Sequence, residues 1–271
     1  MKTQTRLAPG SWLGCLGGGQ LGRMFVHAAQ RLGYHVCVLD PDGAGPAAQA
    51  ADETTIAAYD EAAALEQLAA RVAAVTTEFE NVPAASLELL AGRLPVRPAA
   101  QAVAIAQDRR REKRFFAAHG LPVGRFAVIE TEADFDALDS ALFPGILKTA
   151  TLGYDGKGQA PVASVEHARL AWSGFNRTPC VLEARLAFDC EISVLAARGA
   201  DGASAVWPVQ ENIHTGGILS RTIVPARISP AVGRVAQAVA LKLITALDYV
   251  GVLAVEFFVV GEQVFVNEIA P

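Results

Sequence analysis

The sequence of 271 residues lacks the marks of several common protein classes. Its four cysteines show no CxxC or zinc-site spacing, and we expect Cys15 and Cys37, which lie in apolar strand-like runs, to be buried free thiols. No uncharged apolar segment is long enough to cross a bilayer, and the first residues hold no apolar stretch typical of a signal peptide. The formal net charge of −5 argues against a general nucleic-acid surface and leaves room for a local basic pocket. We therefore expect a cytoplasmic protein that contacts neither membranes nor nucleic acid.

A Walker A motif, GxxxxGK[ST], is also absent. The chain has a different glycine loop at Leu147–Gln159, where a lysine ends an apolar run and three glycines follow. Because glycine adopts positive φ without a steric penalty, several backbone N–H groups can converge there on one anion. This predicts a loop that closes over nucleotide phosphates, but a glycine-rich β-hairpin with a solvated lysine explains the pattern equally well. The residues concerned are Lys148, Gly153, Gly156, Lys157 and Gly158.

The composition, 52% hydrophobic and 19% charged, predicts well-buried cores. Strands alternate with helices in the first hundred residues, which favours a parallel sheet covered by helices. The expected strands are 12–16, 35–39 and 72–76, and the expected helices are 21–32 and 61–70. Beyond Arg97-Pro98 we expect one basic helix over 99–119, a looser mixture to 184, and then mainly strands with a helix at 231–247.

The first glycine motif, GGGQLGRM at 17–24, matches GxGxxG between a strand and a helix. Asp40 ends the next strand, near the place where a dinucleotide-binding fold has its ribose-binding acid. One hypothesis is therefore an NAD-dependent oxidoreductase. The alternative is that the N–H groups at the helix N-terminus bind the 5′-phosphate of a ribonucleotide, since such groups bind any phosphate.

Acidic residues form a second group of candidates. Glu78 and Glu80 follow a predicted parallel strand, at the sheet edge where α/β folds bind ligands, and we favour Glu78 as the functional one. Glu183 and Glu191 flank a strand–loop–strand segment, which suits an adenine edge and ribose hydroxyls, although a structural hairpin is the default interpretation.

Two further acids, Glu256 and Glu268, lie in very apolar strands joined by a tight turn. If the loop comprises residues 261–263, the two acids pair directly and share a face, where they repel unless a cation lies between them. We therefore predict a Mg²⁺ site. Separate salt bridges are the alternative, and these strands offer no partner for them. In the basic run 107–116 most side chains are expected to be solvated, with Arg109 or Lys113 turned inward toward phosphate.

Six motifs together resemble the ATP-grasp superfamily and, within it, the 5-(carboxyamino)imidazole ribonucleotide synthases of purine biosynthesis. They are GGGQLGRM, TTEFENVP, LGYDGKGQ, PVQENIHTGGIL, LDYVGVLAVEFF and VNEIAP, in the family's order. The resemblance implies an α/β protein with a parallel-sheet, Rossmann-like pre-ATP-grasp domain at 1–107. A two-part ATP-grasp α+β domain would follow, with a small subdomain at 108–182 and a large one at 183–271. The implied activity is a ligase that carboxylates the amine of 5-aminoimidazole ribonucleotide with ATP, Mg²⁺ and bicarbonate, through carboxyphosphate.

The same resemblance implies the site residues. The substrate ribonucleotide would meet Gln20, Leu21 and Glu78, the catalytic residues would be Tyr154, Asp155 and Lys157, and Mg²⁺ would be bound by Glu256 and Glu268. ATP would be held by Arg109, Lys148, Gly153, Tyr154, Asp155, Gly156, Lys157, Gly158, Gln159, Glu183, Ala184, Arg185, Leu186, Glu191, His214, Asn267 and Glu268.

One departure concerns the C-terminus. In the family VNEIAP continues into a bicarbonate-binding segment and a further domain, whereas this sequence stops at Pro271. The resemblance therefore implies that this chain binds nucleotide without carboxylating, and that the full-length protein is a homodimer. The other interpretations are a formate-dependent glycinamide ribonucleotide transformylase, which typically has a serine-rich loop in place of GYDGKG, the oxidoreductase, and a non-catalytic nucleotide-binding module.

Overall fold

Four short strands near the N-terminus form a parallel sheet in a computed structural model that describes residues 6–151 and 158–271. The strands are β1 (Trp12–Leu16), β2 (His35–Asp40), β3 (Glu53–Ile56) and β4 (Ala74–Thr77), in the order β3-β2-β1-β4. The accompanying helices are α1 (Gln20–Arg31), α2 (Ala62–Arg71) and α3 (Ala84–Ala91). Leu16 and Leu39 are completely buried, as expected for strands covered on both faces. The predicted parallel sheet is confirmed.

Strand β3 was not predicted from the sequence. Its residues, ETTI, contain one apolar side chain, and that residue, Ile56, is 69% exposed. The strand lies at the edge of the sheet and pairs only with β2. An edge strand without a buried face has no hydrophobic pattern from which to predict it.

The single helix predicted at 99–119 is wrong. Two helices are present, α4 (Ala100–Ala106) and α5 (Arg109–Ala118). Asp108 separates them as the N-cap of α5, and its side chain accepts a hydrogen bond of 2.9 Å from the backbone N–H of Arg110. A carboxylate at this position satisfies a helix-end N–H and favours a new helix start over continuation of the old one.

The chain divides into two compact units, Met1–Ala104 with Tyr249–Gly251, and Ile105–Asp248 with Val252–Pro271. The second unit contains a small antiparallel sheet in the order β5-β8-β6-β7. Its strands are β5 (Phe126–Ile129), β6 (Gly145–Thr149), β7 (Gln159–Val162) and β8 (Cys180–Ala184), and helix α6 (Val165–Gly174) packs on one face. Leu147, Leu182 and Trp172 form the core there, so Lys148 and Glu183 project from the opposite face.

A larger sheet completes the second unit. Its main order is β12-β11-β9-β13-β14, and β10 also pairs with β9. The strands are β9 (Cys190–Arg198), β10 (Ser204–Val206), β11 (Gln210–Thr215), β12 (Ile218–Ile223), β13 (Gly251–Val260) and β14 (Gln263–Ala270), and the helix is α7 (Pro230–Ala246). Because β8 and β9 belong to different sheets, the hairpin interpretation of their connection is wrong.

The hairpin of β13 and β14 contains a bulge. Val260 pairs with Gln263, so the turn has two residues and not the three that the sequence analysis assumed. Glu256 nevertheless pairs with Glu268, because the register shifts by one residue between Glu256 and Phe257. Asn267 is the extra residue of β14. The predicted pairing of the two acids is therefore confirmed by a different route.

In the part of the chain that the structure describes, no helix combines the length and the apolar character needed to cross a membrane.

Candidate functional site

In the first unit, the turn before α1 brings two carboxylates onto glycine N–H groups. Glu78 Oε1 accepts a hydrogen bond from Gly19 N at 2.8 Å, and Glu78 Oε2 accepts one from Gly22 N at 3.1 Å. Asp40 Oδ2 accepts from Gly18 N at 2.5 Å. Both acids thus lie at the positive end of the helix, where negative charge is stabilised.

This arrangement corrects the predicted phosphate cradle at GGGQLGRM. The N–H groups of Gly18, Gly19 and Gly22 already donate to carboxylates, and two negative side chains repel a phosphate. The glycines instead allow the side chain of Glu78 to approach the backbone of the turn closely. A Cβ on Gly17, which has φ of 116°, would lie 2.5 Å from Glu78 Oε1.

Asp40 does not present a free carboxylate for ribose. Besides Gly18 N, it accepts a short hydrogen bond from the Tyr59 hydroxyl and one of 2.7 Å from Asp42 N. At 8% exposure it is a buried structural acid of the turn. Gln20 and Leu21, by contrast, are exposed in the first turn of α1, with Leu21 64% exposed. Gln20, Leu21 and Glu78 therefore come together at one helix N-terminus.

In the second unit, helix α5 turns charged side chains inward. Arg109, Lys113 and Phe116 recur at helical spacing on one face, and Lys113 and Phe116 are almost completely buried. Arg110, Arg111 and Arg114 carry the rest of the basic run; Arg111 and Arg114 are 64% and 58% exposed. Of the two residues predicted as alternatives to turn inward toward phosphate, Lys113 is buried and its ammonium contacts Glu183 at 2.9 Å and the Asn267 carbonyl at 2.8 Å.

Glu183 lies between two lysines. Its Oε2 is 2.9 Å from Lys113 Nζ, and its Oε1 is 2.9 Å from Lys148 Nζ. Burial would raise the pKa of Glu183, but the two ammonium groups outweigh burial and hold this pKa at about 2. The side chain of Lys148 is only 13% exposed, so Lys148 is not a solvated lysine. The β-hairpin part of that alternative is confirmed, because β6 and β7 pair antiparallel, while Lys157 lies outside the described residues.

Neighbouring strands of the larger sheet bring acids onto its less buried face. Glu256 and Glu268 pair across β13 and β14. Glu268 Oε2 also accepts a hydrogen bond of 2.9 Å from Arg109 Nη1, so the expectation that these strands have no salt-bridge partner is wrong for Glu268. No described residue forms a salt bridge with Glu256, and burial together with the charge of Glu268 raises its pKa to about 7.

The same face continues onto β9 and β11. Glu191 Oε1 lies 3.2 Å from His214 Nδ1, and both side chains are 23% exposed. Within the described residues, three buried side-chain atoms lack a hydrogen bond of normal geometry: Glu183 Oε1, His214 Nδ1 and Asn267 Oδ1. The first two keep close contacts with Lys148 and Glu191, so Asn267 Oδ1 is the one of the three without a polar contact. Buried polar atoms are normally satisfied, and Asn267 Oδ1 therefore marks a place where a ligand or ion is expected. The resemblance assigns Asn267 to the ATP site.

A cavity of about 680 Å³ opens beside this cluster. The apolar part of its lining includes Ile146, Leu186, Phe188 and Phe258, and the rings of Phe188 and Phe258 stack with centroids 4.7 Å apart. Lys113, Lys148 and Glu183 line its charged part, next to the backbone of residues 184–187. Such a pocket, mostly apolar with a few converging polar groups, suits a small ligand.

The structure gathers many of the predicted ATP residues in this unit, namely Arg109, Lys148, Glu183, Ala184, Arg185, Leu186, Glu191, His214, Asn267 and Glu268. Gln159 is exposed on β7 and does not line the cavity. Gly158 is the first described residue after 151; it has φ of 69° and lies against Thr149. The predicted residues Gly153, Tyr154, Asp155, Gly156 and Lys157 lie outside the described residues.

Glu112 was missed by the sequence analysis. It is 1% exposed, accepts a hydrogen bond of 2.9 Å from Ile269 N, and has its pKa raised to about 8 by burial and by the charge of Glu268. The sequence signal for its burial was its position four residues before Phe116, since residues four apart in a helix are neighbours on one face. No group of three or more His, Cys, Asp or Glu side chains within residues 6–151 and 158–271 has the arrangement of a metal site. The pair of Glu256 and Glu268 supplies two facing carboxylates.

Two family models match the chain. The ribonucleotide synthetase preATP-grasp domain matches residues 11–107, and the ATP-grasp domain matches residues 114–271.

Individual proteins and solved structures give the same result. The chain is 43% identical over 272 residues to the N5-carboxyaminoimidazole ribonucleotide synthase of Brucella melitensis biotype 1, covering 99% of this chain and 75% of that protein. It superimposes with a TM-score of 0.92 on the Staphylococcus aureus N5-carboxyaminoimidazole synthetase complexed with ADP, at 37% identity, covering 98% and 71% of the two chains. The Aspergillus clavatus N5-carboxyaminoimidazole synthase in complex with ADP and 5-aminoimidazole ribonucleotide gives a TM-score of 0.87 at 30% identity, covering 97% and 70%.

Proposed function

The chain belongs to the N5-carboxyaminoimidazole ribonucleotide synthase family of ATP-grasp ligases, whose reaction is the ATP-dependent carboxylation of 5-aminoimidazole ribonucleotide, and we propose how its residues serve that reaction. Family membership makes the NAD-dependent oxidoreductase hypothesis wrong, in agreement with the internal hydrogen bonds of Asp40.

ATP is proposed to occupy the cavity of the second unit. The adenine would lie against Ile146 and Phe258, with the backbone of 184–186 available to its polar edge. The phosphates would face Lys148 and Arg109, because those cations lie at the charged side of the same cluster. Glu183 would hold Lys148 in place, since its ionised carboxylate orients the ammonium.

Mg²⁺ is proposed to bind Glu256 and Glu268. The residues fit the ion because two facing carboxylates, one without an ionic partner among the described residues, repel until a cation neutralises them. Mg²⁺ commonly uses one or two carboxylates together with phosphate oxygens, and it would neutralise charge that develops during phosphoryl transfer.

The observation that carries this proposal is the convergence of Lys113, Lys148 and Glu183 on the charged side of an otherwise apolar cavity of about 680 Å³. A buried polar atom without a partner costs about 1–3 kcal/mol. Asn267 Oδ1 is such an atom in the same unit, and a bound nucleotide would supply its partner.

The ribonucleotide substrate is proposed to contact Gln20, Leu21 and Glu78 of the first unit, with Tyr154, Asp155 and Lys157 as the catalytic residues. Bicarbonate would attack the γ-phosphate of ATP and give ADP and carboxyphosphate. The substrate amine would then attack the carboxyl carbon, releasing phosphate and forming the carbamate. Backbone N–H groups fix both oxygens of Glu78, which leaves its remaining lone pairs for substrate donors.

The test is isothermal titration of ADP in the presence of Mg²⁺. We expect Glu268→Gln to weaken binding by about tenfold, equivalent to about 1.4 kcal/mol, because one of the two charges that hold the metal is lost. The matched control is Glu262→Gln, an exposed acid in the turn of the same hairpin, which should bind as the unchanged chain does. Equal affinity in both variants would contradict the two-carboxylate metal site.

A further inference from the structure

Strand β14 is the last strand of the larger sheet, and its outer edge is covered at Val266 by the main chain of Pro122 and beyond it by side chains of α5. The N–H and C=O groups on a sheet edge need partners when they are buried. Ile269 N donates to Glu112 Oε1 at 2.9 Å, and Lys113 Nζ donates to the Asn267 carbonyl at 2.8 Å. Two adjacent residues of one helix thus satisfy the main chain on either side of Glu268.

These contacts surround the bulge. In a regular strand successive side chains alternate between faces. The buried residues of β14 are Val264, Val266 and Ile269. The first two are two positions apart, as in a regular strand, but Ile269 follows Val266 by three positions, so the alternation of faces breaks between them. The extra residue, Asn267, allows two consecutive side chains, Asn267 and Glu268, to lie on the partly exposed side.

The burial of Glu112 needs a reason beyond stability. It is 1% exposed beside the acidic Glu268, and the positive charge of Lys113, which favours its ionised form, is shared with Glu183, the acid that Lys113 contacts. Buried ionisable groups are often neutral or unfavourable for stability compared with apolar residues of similar volume, and their best-attested use is to fix a register. Here the register is that of the bulge.

We propose that Glu112 is a positioning residue for the metal–nucleotide site: by holding Ile269 N it fixes the bulge that aims Asn267 and Glu268. The inference rests on the proposed metal role of Glu268. Glu112 itself touches neither metal nor nucleotide. Loss of Glu112 should therefore reduce the gain in nucleotide affinity that Mg²⁺ gives. A general loss of folding would instead reduce nucleotide affinity equally with and without Mg²⁺.

The experiment measures ADP affinity with and without Mg²⁺ by isothermal titration. Glu112→Leu keeps the volume and removes the acceptor, and we expect the gain in affinity that Mg²⁺ gives to fall at least fivefold while metal-free ADP affinity changes less than twofold. Glu112→Gln keeps an acceptor for Ile269 N and should restore most of the gain. Arg114→Gln, an exposed change on the same helix, is the control and should leave both affinities unchanged.

Ile269→Pro removes the same hydrogen bond from the donor side, and it should reproduce the loss even if Glu112→Leu does not fold. Glu268→Gln is measured in parallel as the direct ligand variant. If Glu268→Gln loses the Mg²⁺ gain but Glu112→Leu and Ile269→Pro keep it, the positioning role is overturned and the proposed function stands. If affinity falls equally with and without Mg²⁺, Glu112 is merely structural and the inference fails. If Glu268→Gln keeps the gain, the proposed metal site fails first.

Discussion

At the scale of single residues, Glu183 shows how charge is kept inside this protein. Its carboxylate is 14% exposed and contacts two ammonium groups at 2.9 Å each. The lysines come from α5 and β6, whereas the acid comes from β8, so three elements depend on one side chain. Removing one partner of a buried ionic group leaves the others uncompensated, which typically costs about 3–5 kcal/mol.

This dependence predicts a pH effect. The folded pKa of Glu183, about 2, is below its ordinary value of 4.5, so its ion pairs stabilise the fold above pH 4.5 and lose that contribution as the pH falls toward 2. We expect Glu183→Gln to lower the free energy of unfolding by about 3 kcal/mol at pH 7 and to flatten its loss between pH 4.5 and pH 2. Urea unfolding at a series of pH values measures both.

The control for Glu183 is an exposed ion pair. Glu132, 56% exposed, contacts Arg169 on the surface, and Glu132→Gln should cost about 0–1 kcal/mol and keep the acid slope. An unchanged slope in the Glu183 variant would show that the two lysines do not hold its pKa down.

At the scale of elements, the turn before α1 illustrates how glycine permits a close approach. We expect Gly17→Ala to destabilise the first unit by about 1–3 kcal/mol, because φ of 116° suits glycine and a Cβ would meet Glu78 Oε1 at 2.5 Å. It should also weaken binding of 5-aminoimidazole ribonucleotide by displacing Glu78. Denaturant unfolding and calorimetric titration are the measurements.

Gly174→Ala is the matched control for that change. Gly174 ends α6, has no atom within 4 Å of a built Cβ, and does not have positive φ. Alanine there should be neutral or slightly stabilising. A Gly17→Ala variant as stable as Gly174→Ala would mean that the turn accommodates a side chain and that Glu78 is not held against it.

The same scale shows what the sequence allowed us to predict. Apolar strands and amphipathic helices, such as β1, β2 and α7, were predictable because their periodicity records which face is buried. Strand β3 could not be predicted, because it buries little apolar surface. The break at Asp108 could not be predicted either, because the helical pattern continues across it and hides the N-cap. The pairing of Glu256 with Glu268 was predicted from an incorrect turn length, because the bulge compensated for the missing loop residue.

The site itself was harder to predict than the elements. Candidate residues were found from acids and lysines in unexpected apolar surroundings. Their partners were not found, because contacts such as Arg109 with Glu268 join residues 159 positions apart and depend on tertiary packing. The glycine motif was misread for the same reason: its N–H groups were visible in the pattern, but the acids that occupy them come from distant strands.

At the scale of the whole molecule, the two proposed ligands belong to different units. We expect Mg²⁺ with ADP to slow amide hydrogen exchange in residues 144–148 and 184–188 of the second unit, and 5-aminoimidazole ribonucleotide to slow it in residues 19–22 of the first. The reason is that a ligand stabilises the states that bind it and therefore suppresses local opening there. Exchange followed by mass spectrometry is the measurement. Protection by the ribonucleotide confined to the second unit would contradict the roles of Gln20, Leu21 and Glu78.

The bulge in β14 also bears on how this sequence tolerates insertions and deletions. Without Asn267 the strand would read Val264, Phe265, Val266, Glu268, Ile269, a plain alternation that keeps Val264, Val266 and Ile269 on the buried face and still sets Glu268 opposite Glu256 across a two-residue turn. The burial pattern alone would therefore accept a chain one residue shorter. What the additional residue contributes is a carbonyl that accepts from Lys113 and a side-chain amide beside Glu268, so a sequence alignment that closed this gap would remove a position of the candidate site.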